Sequence, residues 1–275
     1  MADVGQINKL VVVKEVPFGV YLDGGDWGEI LLPNKFVPTG TQVDDEVEVF
    51  VYFDSGDQIV ATTQRPRACL GSFAFLKVVD VNRVGAFLDW GLDKDLLVPL
   101  PEQRRPMEKG KSYIVHVKLD GRGRLVASSK IDRFLDRRPT GLKEGDEARL
   151  LIAEETNLGN KVIIDDSHWG LLHASDIFQT LSYGKRMTGY IKTVRDDGKI
   201  DVVLTKGGHE HITGLSGRIL AELNRKGGFL PLHDKSPVDD IKNALGVSKK
   251  SFKAAIGQLY TKRKIKIEPN GIRLI

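Results

Sequence analysis

Phe18-Gly19-Val20-Tyr21-Leu22-Asp23, followed by Ile30-Leu31-Leu32-Pro33, is the stretch on which the fold turns, because its grammar recurs twice further along the chain. Val84-Gly85-Ala86-Phe87-Leu88-Asp89 precedes Leu96-Leu97-Val98-Pro99, and Leu158-Gly159-Asn160-Lys161-Val162-Ile163 precedes Gly170-Leu171-Leu172-His173. Each copy reads as an apolar strand, a short turn centred on Gly, a second strand, a small polar loop and an apolar pair closed by Pro or His. Such a repeat sets the architecture, since each unit must bury its own apolar face. Phe18 and Tyr21 are three positions apart, which on a flat strand points them to opposite faces. A bulge at Gly19 is the expected device that brings both rings to one face.

Working outward, each copy is followed by an alternating strand. In the second copy Tyr113, Val115, Val117 and Leu119 are expected inward, set against His116, Lys118 and Asp120. Each unit then ends in a tight turn with the Asp/Gly chemistry of hairpins: Asp54-Ser55-Gly56-Asp57, Asp120-Gly121-Arg122-Gly123 and Asp196-Asp197-Gly198-Lys199. Five short strands in about 65 residues predict a small closed barrel of the OB type rather than an open sheet.

The C-terminal stretch changes from period 2 to period 3.6. Leu215, Ile219, Leu220 and Leu223 form one stripe, ended by Gly227-Gly228. Phe229-Leu230-Pro231-Leu232 reads as a short strand. Ser236-Pro237 opens a second helix with Asp239 and Asp240 at its positive end, Val238, Ile241 and Leu245 facing inward, and Gly246 stopping it. Ser248 caps a third helix with Phe252, Ala255, Ile256, Leu259 and Tyr260 on one stripe. Ile265-Lys266-Ile267 and Ile272-Arg273-Leu274-Ile275 close a hairpin. Helix, strand, helix, turn, helix and hairpin make a winged helix. The expected fold is therefore mainly β with a C-terminal α+β module: barrels at 1–66, 67–138 and 139–211, then the winged helix at 212–275.

Charge separates these modules more than the net +4 of the 275-residue chain suggests. Lys+Arg against Asp+Glu count 4 versus 11, 15 versus 9, 9 versus 12 and 13 versus 5, giving −7, +6, −3 and +8 in order. The second and fourth modules are the ones able to attract phosphate. Cys69 is the one cysteine, which excludes an intramolecular disulfide, and no Cys/His spacing suits structural zinc. No run approaches the roughly 20 apolar residues of a membrane span, and the N-terminus has no leader pattern, so a cytoplasmic protein is expected.

The repeats resemble S1-type RNA-binding domains, whose hallmark runs Phe-Gly-Ala-Phe-Val, then Gly-Leu-Leu-His, then Asp-x-x-Gly-Arg. The third repeat carries it in Trp169-Gly170-Leu171-Leu172-His173 and Gly198-Lys199. The second carries Val84-Gly85-Ala86-Phe87 and Asp120-Gly121-Arg122-Gly123-Arg124, and the first carries Phe18-Gly19-Val20-Tyr21 and Asp54. Pro33 and Pro99 stand where the hallmark has His, Gln58 where it has Arg, and Leu158 and Lys161 where it has aromatics. Three such repeats and a winged helix together resemble the conserved virulence factor B family of bacterial proteins along essentially the whole chain. That resemblance implies an RNA-binding regulator.

The expected contacts to nucleic acid follow from that resemblance, which implies the Asp120–Arg124 turn, and from ring and charge chemistry, in which rings stack unpaired bases while Lys and Arg neutralise phosphates. They are Phe87, His116, Lys118, Asp120, Arg122 and Arg124 in the second module, and Trp169, His173 and Lys199 in the third. The winged helix adds Lys249, Lys250 and Lys253 at the start of its third helix, with Lys262, Arg263, Lys264 and Lys266 near the wing. Phe18 and Tyr21 offer the same ring chemistry on a module whose −7 charge repels phosphate. Each ring has a second use as core or inter-module packing. The function expected is non-catalytic binding of single-stranded RNA with post-transcriptional regulation, without a cofactor or metal. A DNA-binding transcription regulator working through the winged helix, and a scaffold whose acidic first barrel docks a ribosomal protein, stand beside it.

Apparent catalytic signals dissolve. Gly110-Lys111-Ser112 has Arg105 where a phosphate loop needs Gly. His209-Glu210-His211 is too tight for the helical zinc spacing and is expected in a linker. His168 and His173 have no third ligand in sequence, and Asp44-Asp45 and Asp165-Asp166 read as turns.

Overall fold

The computed structural model describes residues 1–54, 56–136, 141–177, 180–205 and 209–275, with the backbone alone for 175 and 209–214. Ser55 of the first expected hairpin and the expected junction at 138/139 lie outside the described residues. The chain forms two compact units, Met1–Leu135 and Asp136–Ile275.

The first unit holds two barrels. Barrel 1 is built from β1 (Ile7–Val16), β2 (Gly19–Asp23), β3 (Glu29–Pro33), β4 (Glu46–Phe53) and β5 (Ile59–Thr62), closed in the order β1-β2-β3-β5-β4. The parallel pair Leu31↔Val60 closes it. Barrel 2 comprises β6 (Phe73–Val81), β7 (Gly85–Asp89), β8 (Leu96–Pro99), β9 (Ser112–Leu119) and β10 (Leu125–Ser128). Its sheet runs β10-β9-β6-β7-β8, and its two edge strands lie alongside one another, so it is nearly closed. The second unit opens with barrel 3, of β11 (Glu147–Thr156), β12 (Gly159–Ile164), β13 (His168–His173), β14 (Arg186–Val194) and β15 (Ile200–Val203), closed as barrel 1 is. Alternate residues fill each interior, such as Val12, Leu22, Ile30 and Leu32 in barrel 1 and Leu150, Ile152, Val162 and Ile164 in barrel 3.

The repeat is visible bond by bond. Asn34 N–H donates to the Phe18 carbonyl at 3.0 Å, Leu100 to Val84 at 3.2 Å and Ala174 to Leu158 at 3.0 Å. Gly19, Gly85 and Gly159 lie cross-strand from Pro33, Pro99 and His173. A Cβ there would fall 2.2, 2.2 and 2.1 Å from the carbonyl oxygens of Leu32, Val98 and Leu172, so only Gly allows the close approach. The expected bulge at Gly19 is corrected: the register shifts lie in the preceding strands, between Val12 and Lys14, Val78 and Asp80, and Ile152 and Glu154. Phe18 and Tyr21 share a face because Phe18 sits in the turn before β2, outside the pleat.

Two further expectations change. The third hairpin starts at Arg195 rather than Asp196. The pairs Phe53↔Ile59, Leu119↔Leu125 and Val194↔Ile200 each close a five-residue turn, so strand register, not the position of Asp, sets the start. Leu119 is exposed, since it stands at the mouth of its hairpin beyond the cover of the interior.

The winged helix follows as α1 (His209–Arg225), β16 (Phe229–Leu230), α2 (Val238–Leu245), α3 (Lys249–Thr261), β17 (Ile265–Glu268) and β18 (Gly271–Leu274), with the sheet ordered β16-β18-β17. Ile219, Leu223, Ile241, Phe252, Ile256, Leu259, Ile265 and Ile272 form its core. Ser248 caps α3 by accepting from the Ser251 N–H at 3.0 Å. Gly246 ends α2 in the left-handed conformation, φ 66°. Ser236 does not cap α2; its hydroxyl accepts from the His233 N–H at 2.9 Å. Val238 is exposed because α2 meets the core through Ile241 and Leu245 alone. Tyr260 is exposed because eight residues at 3.6 per turn bring it about 80° round from Phe252. His209–His211 are helical rather than linker, as no Pro or Gly interrupts 209–213 ahead of the apolar stripe.

Candidate nucleic-acid interface

The turn between β9 and β10 begins at Asp120, whose Oδ1 accepts from the backbone N–H groups of Arg122 (2.8 Å) and Arg124 (3.0 Å). Its Oδ2 accepts from Nε and Nη2 of Arg124 at 3.0 and 2.9 Å. Burial pushes the Asp120 carboxyl up, but the Arg124 and Arg122 N–H groups and the Arg124 guanidinium outweigh it and hold it below its usual value. Arg124 also approaches Asp57 of barrel 1 at 3.8 Å. Arg124 is thus partly neutralised, whereas the Arg122 side chain is exposed and makes no ion pair among the described residues.

His116 and Lys118 are engaged inside barrel 2. The His116 ring stacks on Phe134, centroids 4.0 Å apart and planes at 9°, tilts against Phe73 at 4.8 Å, and brings Nε2 to 3.1 Å from the Gly71 carbonyl. Lys118 donates to Glu102 at 2.9 Å. The Ser128 hydroxyl, followed by Lys118, holds the Glu102 carboxyl below its usual value against the effect of burial. Other cations of this barrel are paired too: Lys109 with Asp80, Lys111 with Glu108 and Arg104 with Asp132. These pairs lie within the module and leave its +6 balance unchanged, so the excess charge resides on its other cations, Arg122 among them. Phe87 is half-buried on β7, cross-strand from Leu97 and Asp80.

Barrel 3 gathers a different set. The Asp201 carboxylate, nearly buried on β15, accepts from Nε and Nη2 of Arg195 at 2.9 and 2.7 Å. His173 Nε2 lies 3.0 Å from Asp201 Oδ1 and 3.2 Å from Arg195 Nη2. A protonated Nε2 donates to Asp201, and a bare one accepts from Arg195. Lys161 Nζ sits 4.0 Å from the Trp169 ring centroid and 3.7 Å from Glu154. Lys199 is exposed and pairs with Asp197 of its own turn, which lowers the Asp197 carboxyl.

Arg195, Asp201 and Lys161 were not among the candidates read from sequence. Arg195 N–H donates to the Lys199 carbonyl at 2.8 Å as Asp54 does to Gln58 and Asp120 to Arg124, so a guanidinium fills the slot held by carboxylates in the first two barrels. Phe18 and Tyr21 of barrel 1 meet edge to face at 6.4 Å, with Lys14 Nζ 4.6 Å above Tyr21.

On the winged helix, Lys250, Lys253, Lys262, Arg263, Lys264 and Lys266 are exposed, and none forms an ion pair among the described residues. Lys249 donates to the Lys235 carbonyl at 3.4 Å. Lys249, Lys250 and Lys253 crowd the first turns of α3, where cations oppose the helix dipole and no acidic residue offsets them. Lys266 lies directly cross-strand from Arg273, a like-charge pair that a polyanion would relieve. Arg273 was also missed; it packs over Phe229 at 4.8 Å and pairs with Glu268 at 3.1 Å. Among the described residues no helix is long and apolar enough to cross a membrane, and no group of His, Cys, Asp and Glu is arranged to hold a metal ion.

Known proteins are similar to parts or all of this chain. Residues 4–64 match an S1 domain and residues 217–274 a CvfB-like winged helix domain, both nucleic-acid-binding types. The chain is 30% identical over 270 residues to the "Uncharacterized protein YitL" of Bacillus subtilis (strain 168), covering 95% of this chain and 90% of that one. It is 27% identical over 282 residues to the "Conserved virulence factor B" of Staphylococcus epidermidis (strain ATCC 12228 / FDA PCI 1200), covering 98% and 94%. A solved multidomain protein with nucleic acid binding domains from Streptococcus pneumoniae is 24% identical, covering 99% of this chain and 98% of that one, with a TM-score of 0.43. Three barrels of the S1 kind, a CvfB-like winged helix and end-to-end similarity to these relatives place the chain in the conserved virulence factor B family.

Proposed function

We propose that this protein binds single-stranded RNA without catalysing a reaction on it, and that it serves post-transcriptional regulation in the cytoplasm. The observation that carries the reading is the winged-helix surface, where six exposed cations stand without carboxylate partners among the described residues. Such a surface attracts phosphate irrespective of sequence and gives salt-dependent affinity. Barrel 3 supports RNA in particular: the Trp169 ring under Lys161 and the His173 ring beside Arg195 put stacking and cationic groups on one S1-type barrel, both cations being shared with the Glu154 and Asp201 carboxylates. Barrel 2 adds the exposed Arg122, which has no ion pair among the described residues, and the half-buried Phe87 ring. Sites on one chain raise each other's effective concentration, so none has to bind tightly alone. On this reading 1–66, 67–138, 139–211 and 212–275 are the working modules.

The Lys-rich start of α3, the second helix of its helix-turn-helix, favours a second reading in which duplex DNA is the ligand. Competition separates the two. Labelled oligouridine bound to the full-length protein should resist displacement by a duplex of equal phosphate content, and Lys249→Ala/Lys250→Ala/Lys253→Ala should weaken it. Easy displacement by duplex would favour the regulator of transcription.

A further inference from the structure

Barrel 1 keeps the rings of an S1-type face but not the His and Arg/Lys that the other barrels carry at two matching positions. Where the repeat places His173 in barrel 3 it has Pro33, and where it places Arg124 and Lys199 it has Gln58. Carboxylates are set out instead. Asp23 and Glu29 are directly opposed on β2 and β3, an arrangement that costs free energy unless a cation lies close. The chain supplies that cation itself: Lys14 Nζ bonds to Glu29 Oε2 at 2.5 Å and lies 4.6 Å from the Tyr21 centroid. This face therefore already displays how it holds an ammonium group, between a ring and a carboxylate. Phe18, the neighbouring ring, is 56% exposed and has no cation over it among the described residues. Asp23, two residues from Tyr21 and so on the same face of β2, is exposed and makes no ion pair among the described residues. The surrounding module carries 4 basic against 11 acidic residues, so a phosphate chain is repelled and a cationic one attracted.

We propose that the Phe18–Tyr21 face of barrel 1 docks an arginine- or lysine-rich segment of a protein partner, one cation seating over Phe18 as Lys14 seats over Tyr21. Barrel 1 is then the protein-binding arm of a chain whose other modules hold nucleic acid. The ring supplies cation–π attraction, and the module's negative field supplies steering that weakens with salt.

The test uses the full-length protein freed of nucleic acid by nuclease, with two fluorescent probes read by anisotropy: an Arg-Gly repeat peptide and oligouridine. The peptide is expected to bind in a salt-sensitive way, and more tightly than a Gln-Gly counterpart. Phe18→Ala is expected to lower peptide affinity about tenfold while leaving oligouridine affinity within about twofold. Asp23→Lys, which changes charge without touching a ring, is expected to act in the same direction. Both positions are exposed, so both variants remain folded at the temperature of the binding measurement, which thermal melts check. Equal affinity for the Arg and Gln peptides, or peptide affinity unmoved by both variants, overturns the proposal. So does a loss of oligouridine affinity in Phe18→Ala, which would make the face an RNA surface.

Discussion

The ring of Phe50, on β4 of barrel 1, meets Trp90 of barrel 2 edge to face, with centroids 5.6 Å apart and planes at 84°. Phe50 is fully buried, and it belongs to the apolar core of the second barrel rather than the first, with Tyr52 stacked beside it at 6.0 Å. Two barrels too small to bury much core alone thereby add a joint apolar seam to their separate interiors. Hydrogen bonds reinforce the joint: Leu70 N–H donates to the Gly5 carbonyl at 2.8 Å, and Lys94 Nζ to the Phe53 carbonyl at 3.0 Å.

Phe50→Ala should therefore destabilise both barrels at once, by about 3–5 kcal/mol. Urea denaturation followed by the Trp90 environment and by far-ultraviolet circular dichroism would show one transition shifted to lower urea. A shift confined to barrel 1 signals would mean that the two barrels fold independently.

Acid should loosen the same joint. Asp93 of barrel 2 accepts from Lys35 and Gln64 of the preceding barrel, and these bonds, Lys35 first, hold its carboxyl below the ordinary Asp value of 3.8. A carboxyl lower in the folded than in the unfolded chain contributes stability above the unfolded value, and loses it as pH falls through the folded one. The urea midpoint should thus fall as pH drops below about 4, and Asp93→Asn should remove part of that dependence. An identical pH dependence in the variant would exclude this contact as a source.

Arg122 and Arg124, two residues apart, should behave differently when replaced. Arg122→Ala removes an exposed, unpaired charge, so oligouridine affinity should fall and the salt slope drop by about one, with stability unchanged. Arg124→Ala leaves Asp120 and Asp57 without their guanidinium, so the melting temperature should fall as well. Isothermal binding at several salt concentrations beside thermal melts separates the two. Equal binding losses with equal melts would contradict the pairing seen here.

The barrels and winged helix were legible in sequence because their signals are local: a repeated Gly-centred turn between apolar strands, Asp/Gly hairpin chemistry, a Ser cap on α3. The candidate site was legible only in part. That Arg124 faces Asp57 on another barrel, that Lys118 faces Glu102, and that His116 is stacked against Phe134 are non-local facts that charge counting within 67–138 does not carry. Arg195 was hidden by the Asp196-Asp197 pair, which looked like the start of the turn, until strand register placed the guanidinium in that slot. Tyr260 fitted the apolar period of α3 and still faces solvent, since a 3.6-residue helix turns the eighth position away from the core.

Ultraviolet crosslinking of oligouridine to the full-length protein, with crosslinked residues mapped by mass spectrometry, tests the nucleic-acid interface most directly. The interface described here predicts adducts on peptides carrying Trp169 and on those spanning Lys249–Lys253 and Lys262–Lys266, with few in 1–66. Adducts concentrated at Phe18 and Tyr21, with none on barrel 3 or the winged helix, would contradict it.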